Sequence, residues 1–156
     1  KLSRGLGDVY KRQLPGLRDI EKRAVVHGGG ATHRMRLDDA ILIKDNHLKL
    51  SKNIKKSIEI SRSKYPNLMV EVEADNEQQA IEIAKNGADR VMLDNFSPDE
   101  ATATIRKLRE ISDIEIEISG GVTIENIASY AKKADFISLG SLTMSSLPVD
   151  FSLHVL

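Results

Sequence analysis

The chain has 156 residues, 40% of them hydrophobic, which suits one α/β domain with a continuous core rather than two. Its 23 basic and 23 acidic residues cancel, so no global field draws nucleic acid or an anionic membrane surface, and any anion site must be a local cluster. The chain has no cysteine, which excludes disulfides and thiolate metal centres; its apolar runs are far short of a membrane span, and a cytoplasmic domain is expected.

Residues 1–13 are set apart first. Asp8-Val9-Tyr10-Lys11-Arg12-Gln13 is what a common transposase sequencing adapter encodes in frame, and the stretch has neither helical nor strand periodicity. It is expected to be a non-native, adapter-derived segment, with a single domain over 14–156. Pro15-Gly16 then opens a segment in which Leu17, Ile20, Ala24 and Val25 recur at helical spacing, ending at Gly28-Gly29-Gly30. Short apolar or alternating runs predict strands at 41–43, 69–72, 90–93, 114–118 and 136–139.

Helical stripes fill the gaps. Ile54, Ile58 and Ser61 make one, and Ala80, Ile81 and Ala84 another. Ala101, Ile105 and Leu108 follow Ser97-Pro98-Asp99-Glu100, where Ser97 or Asp99 can cap and Pro98 suits the first turn. Ile124, Ile127, Ala128 and Ala131 form the last stripe, with Thr123 as its cap. Strands alternating with helices every 20 to 25 residues or so predict βα units around a parallel sheet, as a partial, open TIM-like barrel. The absence of Gly-x-Gly-x-x-Gly after the first strand argues against a dinucleotide-binding half.

Barrel chemistry gathers where strands end. Here the ends are Lys44-Asp45-Asn46-His47, Glu71 with Glu73, Asp94-Asn95, Ser119-Gly120-Gly121 and Gly140-Ser141. A lone lysine after a strand is usually a solvated loop residue. Glu71 and Glu73, however, share one face of their strand, and neither the lumen nor the helix layer of a barrel tolerates a free carboxylate. They need a cation, and Lys44 is the nearest in strand order. The glycine turns at 120–121 and 140 present backbone N–H groups, as a phosphate cradle would, although empty tight turns look the same in sequence. His33-Arg34 follows a glycine-rich break and leads into the first strand, where an arginine can grip a carboxylate bidentately.

Together these residues resemble the quinolinate phosphoribosyltransferase family. The resemblance rests on Pro15-Gly16-Leu17-Arg18, Glu21-Lys22, Gly28-Gly29-Gly30, His33-Arg34 and Leu42-Ile43-Lys44-Asp45-Asn46-His47. It continues in the same order through Val70-Glu71-Val72-Glu73, Met92-Leu93-Asp94-Asn95-Phe96, Ser119-Gly120-Gly121-Val122-Thr123 and Asp150-Phe151-Ser152-Leu153. It implies the C-terminal barrel of a type II phosphoribosyltransferase, a pentosyltransferase of NAD synthesis. Such enzymes join phosphoribosyl pyrophosphate to quinolinate with Mg2+, releasing pyrophosphate and carbon dioxide and forming nicotinate mononucleotide. By the same resemblance His33, Arg34 and Lys44 line the pocket for the quinolinate carboxylates. Glu73 and Asp94 face the ribose hydroxyls and hold the metal through water, which makes Lys44, Glu73 and Asp94 the expected catalytic set. Ser119, Gly120, Gly121, Gly140 and Ser141 hold the phosphate. Glu71 is left as a neighbour that orients Lys44, and His47 as a residue that fixes the loop.

Three departures qualify the match. Family members carry Thr-Arg-Lys-Thr before the proline-glycine turn, with the Arg and Lys on substrate; here Tyr10-Lys11-Arg12-Gln13 stands there with the charges swapped. Met144 follows Thr143 where some relatives have histidine. The family's N-terminal domain, which lends an arginine to the partner subunit of a homodimer or higher oligomer, is not found in the sequence. A catalytically incompetent fragment that only binds phosphoribosyl phosphate, and a related phosphoribosyltransferase-like protein of molybdenum-transport operons, are the alternatives. His33, Arg34 and Lys44 favour quinolinate over the latter. Without its N-terminal domain the chain is expected to expose apolar surface and to be poorly soluble.

Overall fold

The computed structural model describes residues 14, 16–35, 38–51, 53–131, 134–144, 146, 149–150 and 152–154. In chain order its elements are α1 (Arg18–His27), β1 (Ala40–Ile43), α2 (Asp45–Ser51), α3 (Ile54–Lys64), β2 (Met69–Ala74), α4 (Glu77–Lys85), β3 (Arg90–Asp94), α5 (Pro98–Ile111), β4 (Glu115–Ser119), α6 (Ile127–Tyr130), β5 (Phe136–Ile137) and α7 (Ser141–Met144). They fall into two compact units, one of residues 33–139 and one of 1–32 with 140–156.

The larger unit holds the whole described sheet. Its strands lie in the order β1-β2-β3-β4-β5, every neighbouring pair parallel, so each βα unit adds one strand beside the last. This is an open arc of an α/β barrel, as the strand-helix spacing predicts. Alternation splits the residues between two faces. Ile43, Val70, Val72, Ala74, Val91, Leu93, Ile116 and Ile118 point to one face and form a single core with Ile54, Ile58, Ala80, Ile83, Ala101, Ile105 and Leu108 from the helices.

Local chemistry sets the helix boundaries. Asn53 caps α3 by accepting from Lys56 N–H, and Asn76 caps α4 through Gln79 N–H. Ser97 and Glu100 close a reciprocal capping box on α5, with Pro98 in its first turn. At the opposite edge of the sheet, two aspartates do one job twice. Asp89, just before β3, accepts from Val70 N–H of β2 and from Arg62 of α3. Asp135, just before β5, accepts from Ile116 N–H of β4 and from Arg109 of α5. Each carboxylate fastens a strand start to a helix.

Two expectations need correction. The Lys44-Asp45-Asn46-His47 segment is no open loop, because α2 begins at Asp45, directly after Lys44. The last helical stripe shrinks to the four residues of α6, which starts at Ile127 after Asn126. Thr123 therefore shapes the preceding turn, where it trades hydrogen bonds with Asn126, and does not cap the helix. Ile124 is 73% exposed, while Tyr130 is buried with its hydroxyl donating to Phe96 C=O at 3.0 Å.

The smaller unit, taken by itself, contains α1 and α7 in contact. Leu14 N–H reaches the Glu21 carboxylate at 3.0 Å, and the glycine run ends α1 through bonds from Gly28 and Gly30 N–H to Ala24 and Val25 C=O. No residue of α1 is buried, and Leu17, Ile20 and Val26 are exposed.

Candidate active site

The second face of the sheet carries the polar residues. Register aligns them in rungs: Leu42, Glu71, Arg90 and Glu115, then Glu73, Met92 and Glu117, then Asp94 beside Ser119. Lys44 leaves β1 after Ile43 and sends Nζ to Glu73 Oε2 at 3.3 Å, as the need for a counter-cation predicts. Its backbone is held as firmly as its side chain. Lys44 N–H donates to His47 Nδ1 at 2.9 Å, and Lys44 C=O accepts from His47 and Leu48 N–H at 2.9 and 3.0 Å. His47 thus fixes the turn in which Lys44 sits.

Burial pushes the Glu73 carboxyl above its usual range, Lys44 opposes that, and the Asp94 carboxylate adds to it. Glu73 and Asp94 are therefore close enough to feel one another electrostatically. Asp94 accepts from Asn95 Nδ2 at 2.7 Å. Asn95 takes a left-handed φ of 59°, a conformation asparagine tolerates better than most residues, and its N–H binds Ser119 C=O at 2.9 Å.

Glu71 does not orient Lys44. It sits one rung earlier, fully buried, where His33 Nε2 approaches its Oε2 to 3.2 Å. The same His33 nitrogen lies 3.6 Å from Oε2 of Glu117, which is also buried. Glu117 is further held by Arg90 Nη1 at 3.4 Å and by the Ser138 hydroxyl. Burial, and next the Glu71 charge, push the Glu117 carboxyl up. The sequence reading passed over Glu117, although it alternates with Ile116 and Ile118 as Glu71 does with Val70 and Val72. Arg34 Nη1 reaches Ala40 C=O at 3.3 Å, at the start of β1, whereas Lys44 follows the end of that strand.

At the glycine turn, Ser119 is buried and Gly120 and Gly121 both have positive φ, 80° and 64°. A Cβ on Gly120 would lie 2.3 Å from Asn95 Oδ1 and 2.7 Å from Asn95 N, so this position is glycine for lack of room as well as for φ. A Cβ on Gly121 would meet nothing within 4 Å among the described residues, so there its backbone is open to a ligand. Because α6 is one turn long, any anion here would meet the turn's own N–H groups rather than a strong helix dipole. Gly140 and Ser141 belong to the smaller unit; Gly140 C=O accepts from Thr143 N–H at 3.3 Å, and Ser141 Oγ is buried with no hydrogen-bond partner among the described residues. Lys11 and Arg12 lie outside the described residues.

The similarities to known proteins follow the same residues. Residues 10–154 match the family model described as quinolinate phosphoribosyl transferase, C-terminal domain. A probable nicotinate-nucleotide pyrophosphorylase [carboxylating] of Archaeoglobus fulgidus is 40% identical over 150 residues, covering 94% of this chain and 57% of that protein. The human nicotinate-nucleotide pyrophosphorylase [carboxylating] is 37% identical over 149 residues, covering 93% of this chain and 50% of that protein. The crystal structure of NadC from Streptococcus pyogenes superposes with a TM-score of 0.84 at 39% identity, over 91% of this chain and 50% of that one. The chain spans about half the length of these relatives. It is a member of the quinolinate phosphoribosyltransferase C-terminal domain family.

Proposed function

We propose that the chain forms the barrel part of an enzyme that transfers phosphoribosyl from phosphoribosyl pyrophosphate to quinolinate, giving nicotinate mononucleotide, pyrophosphate and carbon dioxide. The observation that carries this reading is the Lys44–Glu73 pair at the strand ends, 3.3 Å apart beside Asp94, in a chain whose relatives are named for this product. Quinolinate is a dianion, and a partly desolvated site needs fixed cations to hold it. Lys44, His33 and Arg34 supply them. Lys44 is restrained at both backbone and Nζ, so little ordering remains when an acceptor carboxylate arrives.

Glu73 and Asp94 face the donor. As the bond to pyrophosphate breaks, positive charge grows on the ribose ring, and two nearby carboxylates stabilise it. Their mutual repulsion also fits a hard cation: Mg2+ held by Glu73 and Asp94 through its own waters would offset the pyrophosphate charge. Ser119, Gly120 and Gly121 are proposed to bind the ribose phosphate at their turn, where Gly120 and Gly121 both have positive φ. A cytoplasmic location and assembly of the longer protein into homodimers or higher oligomers belong to the same proposal, the latter supported by the exposed Leu17, Ile20 and Val26.

The test is release of labelled carbon dioxide from carboxyl-labelled quinolinate, with and without phosphoribosyl pyrophosphate and Mg2+. Release that needs all three components and is lost in Lys44→Ala supports the reading. Donor-independent release, or full activity in Lys44→Ala, overturns it.

A further inference from the structure

We propose that Asn95 is a positioning residue of this site, tying the Asp94 carboxylate to the Ser119-Gly120-Gly121 turn so that the ribose hydroxyls and the phosphate of the donor are gripped in one fixed register. This rests on the reading of Asp94 as the ribose carboxylate and of the glycine turn as the phosphate cradle, and adds the residue that joins them. Asp94 ends β3 level with Ser119 of β4, and Asn95 follows directly. Its side-chain Nδ2 donates to Asp94 Oδ2 at 2.7 Å. Its N–H donates to Ser119 C=O at 2.9 Å. Its Oδ1 lies so near Gly120 that a Cβ there would sit 2.3 Å away. Since a carboxylate only accepts, the amide must turn its NH2 to Asp94 and its oxygen to the Gly120 side.

The backbone gives a second observation. Asn95 is the one non-glycine residue among those described with a left-handed conformation, at a φ of 59°. It is also exposed, so burial of its side chain does not explain that conformation. For the chain reversal alone, glycine would serve at lower cost. An asparagine held there points to a task for its amide, and uncommon backbone conformations gather where a site must keep one geometry. The neighbours hold Asn95 in place. Phe96 is buried, and its C=O accepts from the Tyr130 hydroxyl of α6, the helix after the glycine turn. On the far side of that turn, Asn126 Nδ2 donates to Gly121 C=O at 3.0 Å.

The proposed donor has use for such a joint. Its phosphate and its ring hydroxyls stand at a separation set by the sugar. Two subsites fixed at that separation bind it with little left to order, and a shift of one against the other weakens the grip of both. The Glu73 charge pushes on Asp94, and the Asn95 amide supplies the donor that keeps the carboxylate facing one way. A free phosphate has no sugar to register. It can occupy the turn whether or not Asp94 is held.

The experiment is calorimetric titration of the chain, in metal-free buffer, with ribose 5-phosphate and with inorganic phosphate. Asn95→Gly keeps the left-handed backbone and its N–H bond to Ser119 and removes only the amide. It should weaken ribose 5-phosphate binding about ten-fold or more, as loss of a hydrogen bond to a charged group does. Phosphate affinity and the urea midpoint should stay where they are. In the Asp94→Asn background the same substitution should add less than about two-fold, because Asn95 acts through Asp94. Unchanged ribose 5-phosphate affinity in Asn95→Gly would make Asn95 a turn residue only, and overturns the proposal. Equal losses for the two probes overturn it too, as the mark of a deformed turn. So do additive losses in the double variant, which would mean that Asn95 touches the ligand itself. A parent chain that binds neither probe takes down the assignment of the site and this proposal with it, whereas a failure confined to Asn95→Gly leaves that assignment standing.

Discussion

The two faces of this sheet are built from the same strands, one residue out of step, and do opposite work. Toward the helices stand Val70, Val72, Val91, Leu93, Ile116 and Ile118, all fully buried in one core. Toward the other side stand Glu71, Glu73, Asp94, Glu117 and Ser119, met by His33, Lys44 and Arg90. The first face lowers the free energy of the fold by removing apolar area from water. The second spends some of that stability on buried carboxylates that need cations, as a binding surface for anions and metals must. The lesson is a division of labour by strand parity, and it can be broken at either face.

The largest effect is expected on the apolar face. Ile116→Ala deletes a fully buried side chain from the middle of the core and should cost about 3–4 kcal/mol of unfolding free energy, read by urea denaturation. Ligand affinity per folded molecule should not change. Lys44→Ala is the mirror experiment. If the proposed reaction is right, turnover should fall by about 10²–10³-fold, while the urea midpoint moves little, because Lys44 is part-exposed and lies outside the apolar core. If Ile116→Ala altered affinity or Lys44→Ala collapsed the fold, the division between faces would fail.

The rim between the faces gives a smaller and sharper contrast. Gly120→Ala drives a Cβ to 2.3 Å from Asn95 Oδ1 at a φ of 80° and should destabilise by about 2–3 kcal/mol. Gly121→Ala meets none of the described residues and should cost only about 1 kcal/mol, from its φ of 64°. Phosphate binding should nonetheless suffer in Gly121→Ala, since the methyl projects where a ligand would approach. Equal losses of stability in the two variants would contradict the close approach of Asn95.

How much of this was legible in the sequence depended on range. Strand positions and the face of Glu71 and Glu73 follow from alternation, a local property. So does the Ser97–Glu100 cap, whose partners are three residues apart. The partner of Glu71 was not readable, because strand register decides it: one rung separates Leu42–Glu71 from the level of Lys44 and Glu73, and His33 arrives from outside the sheet. Helix α2 was missed because Asp45–Ser51 has no apolar stripe and no buried residue. The strand-start ties of Asp89 and Asp135 escaped notice for the same reason as Glu71, since Arg62 and Arg109 reach them from separate helices.

The smallest prediction sets a carboxylate at the sheet edge against one inside the polar face. Burial raises the Asp135 carboxyl, but hydrogen bonds from Arg109 and Ile116 N–H outweigh it, so its pKa lies below the ordinary 3.8. A lowered carboxylate adds stability above its unfolded value and loses it as pH falls through the folded value. Asp135→Asn should therefore cost about 1 kcal/mol at neutral pH, a modest figure because both partners of the ion pair are more than a third exposed, and the difference should vanish in acid below the ordinary value. Glu117 has the opposite sign. Burial and then Glu71 raise its pKa above 4.5, so its ionisation erodes stability as pH climbs from there. The stability of Glu117→Gln relative to the parent should consequently improve with rising pH, while that of Asp135→Asn worsens. Parallel pH slopes in the two variants would show that both carboxylates serve the same end, and the two-face account would lose its electrostatic half.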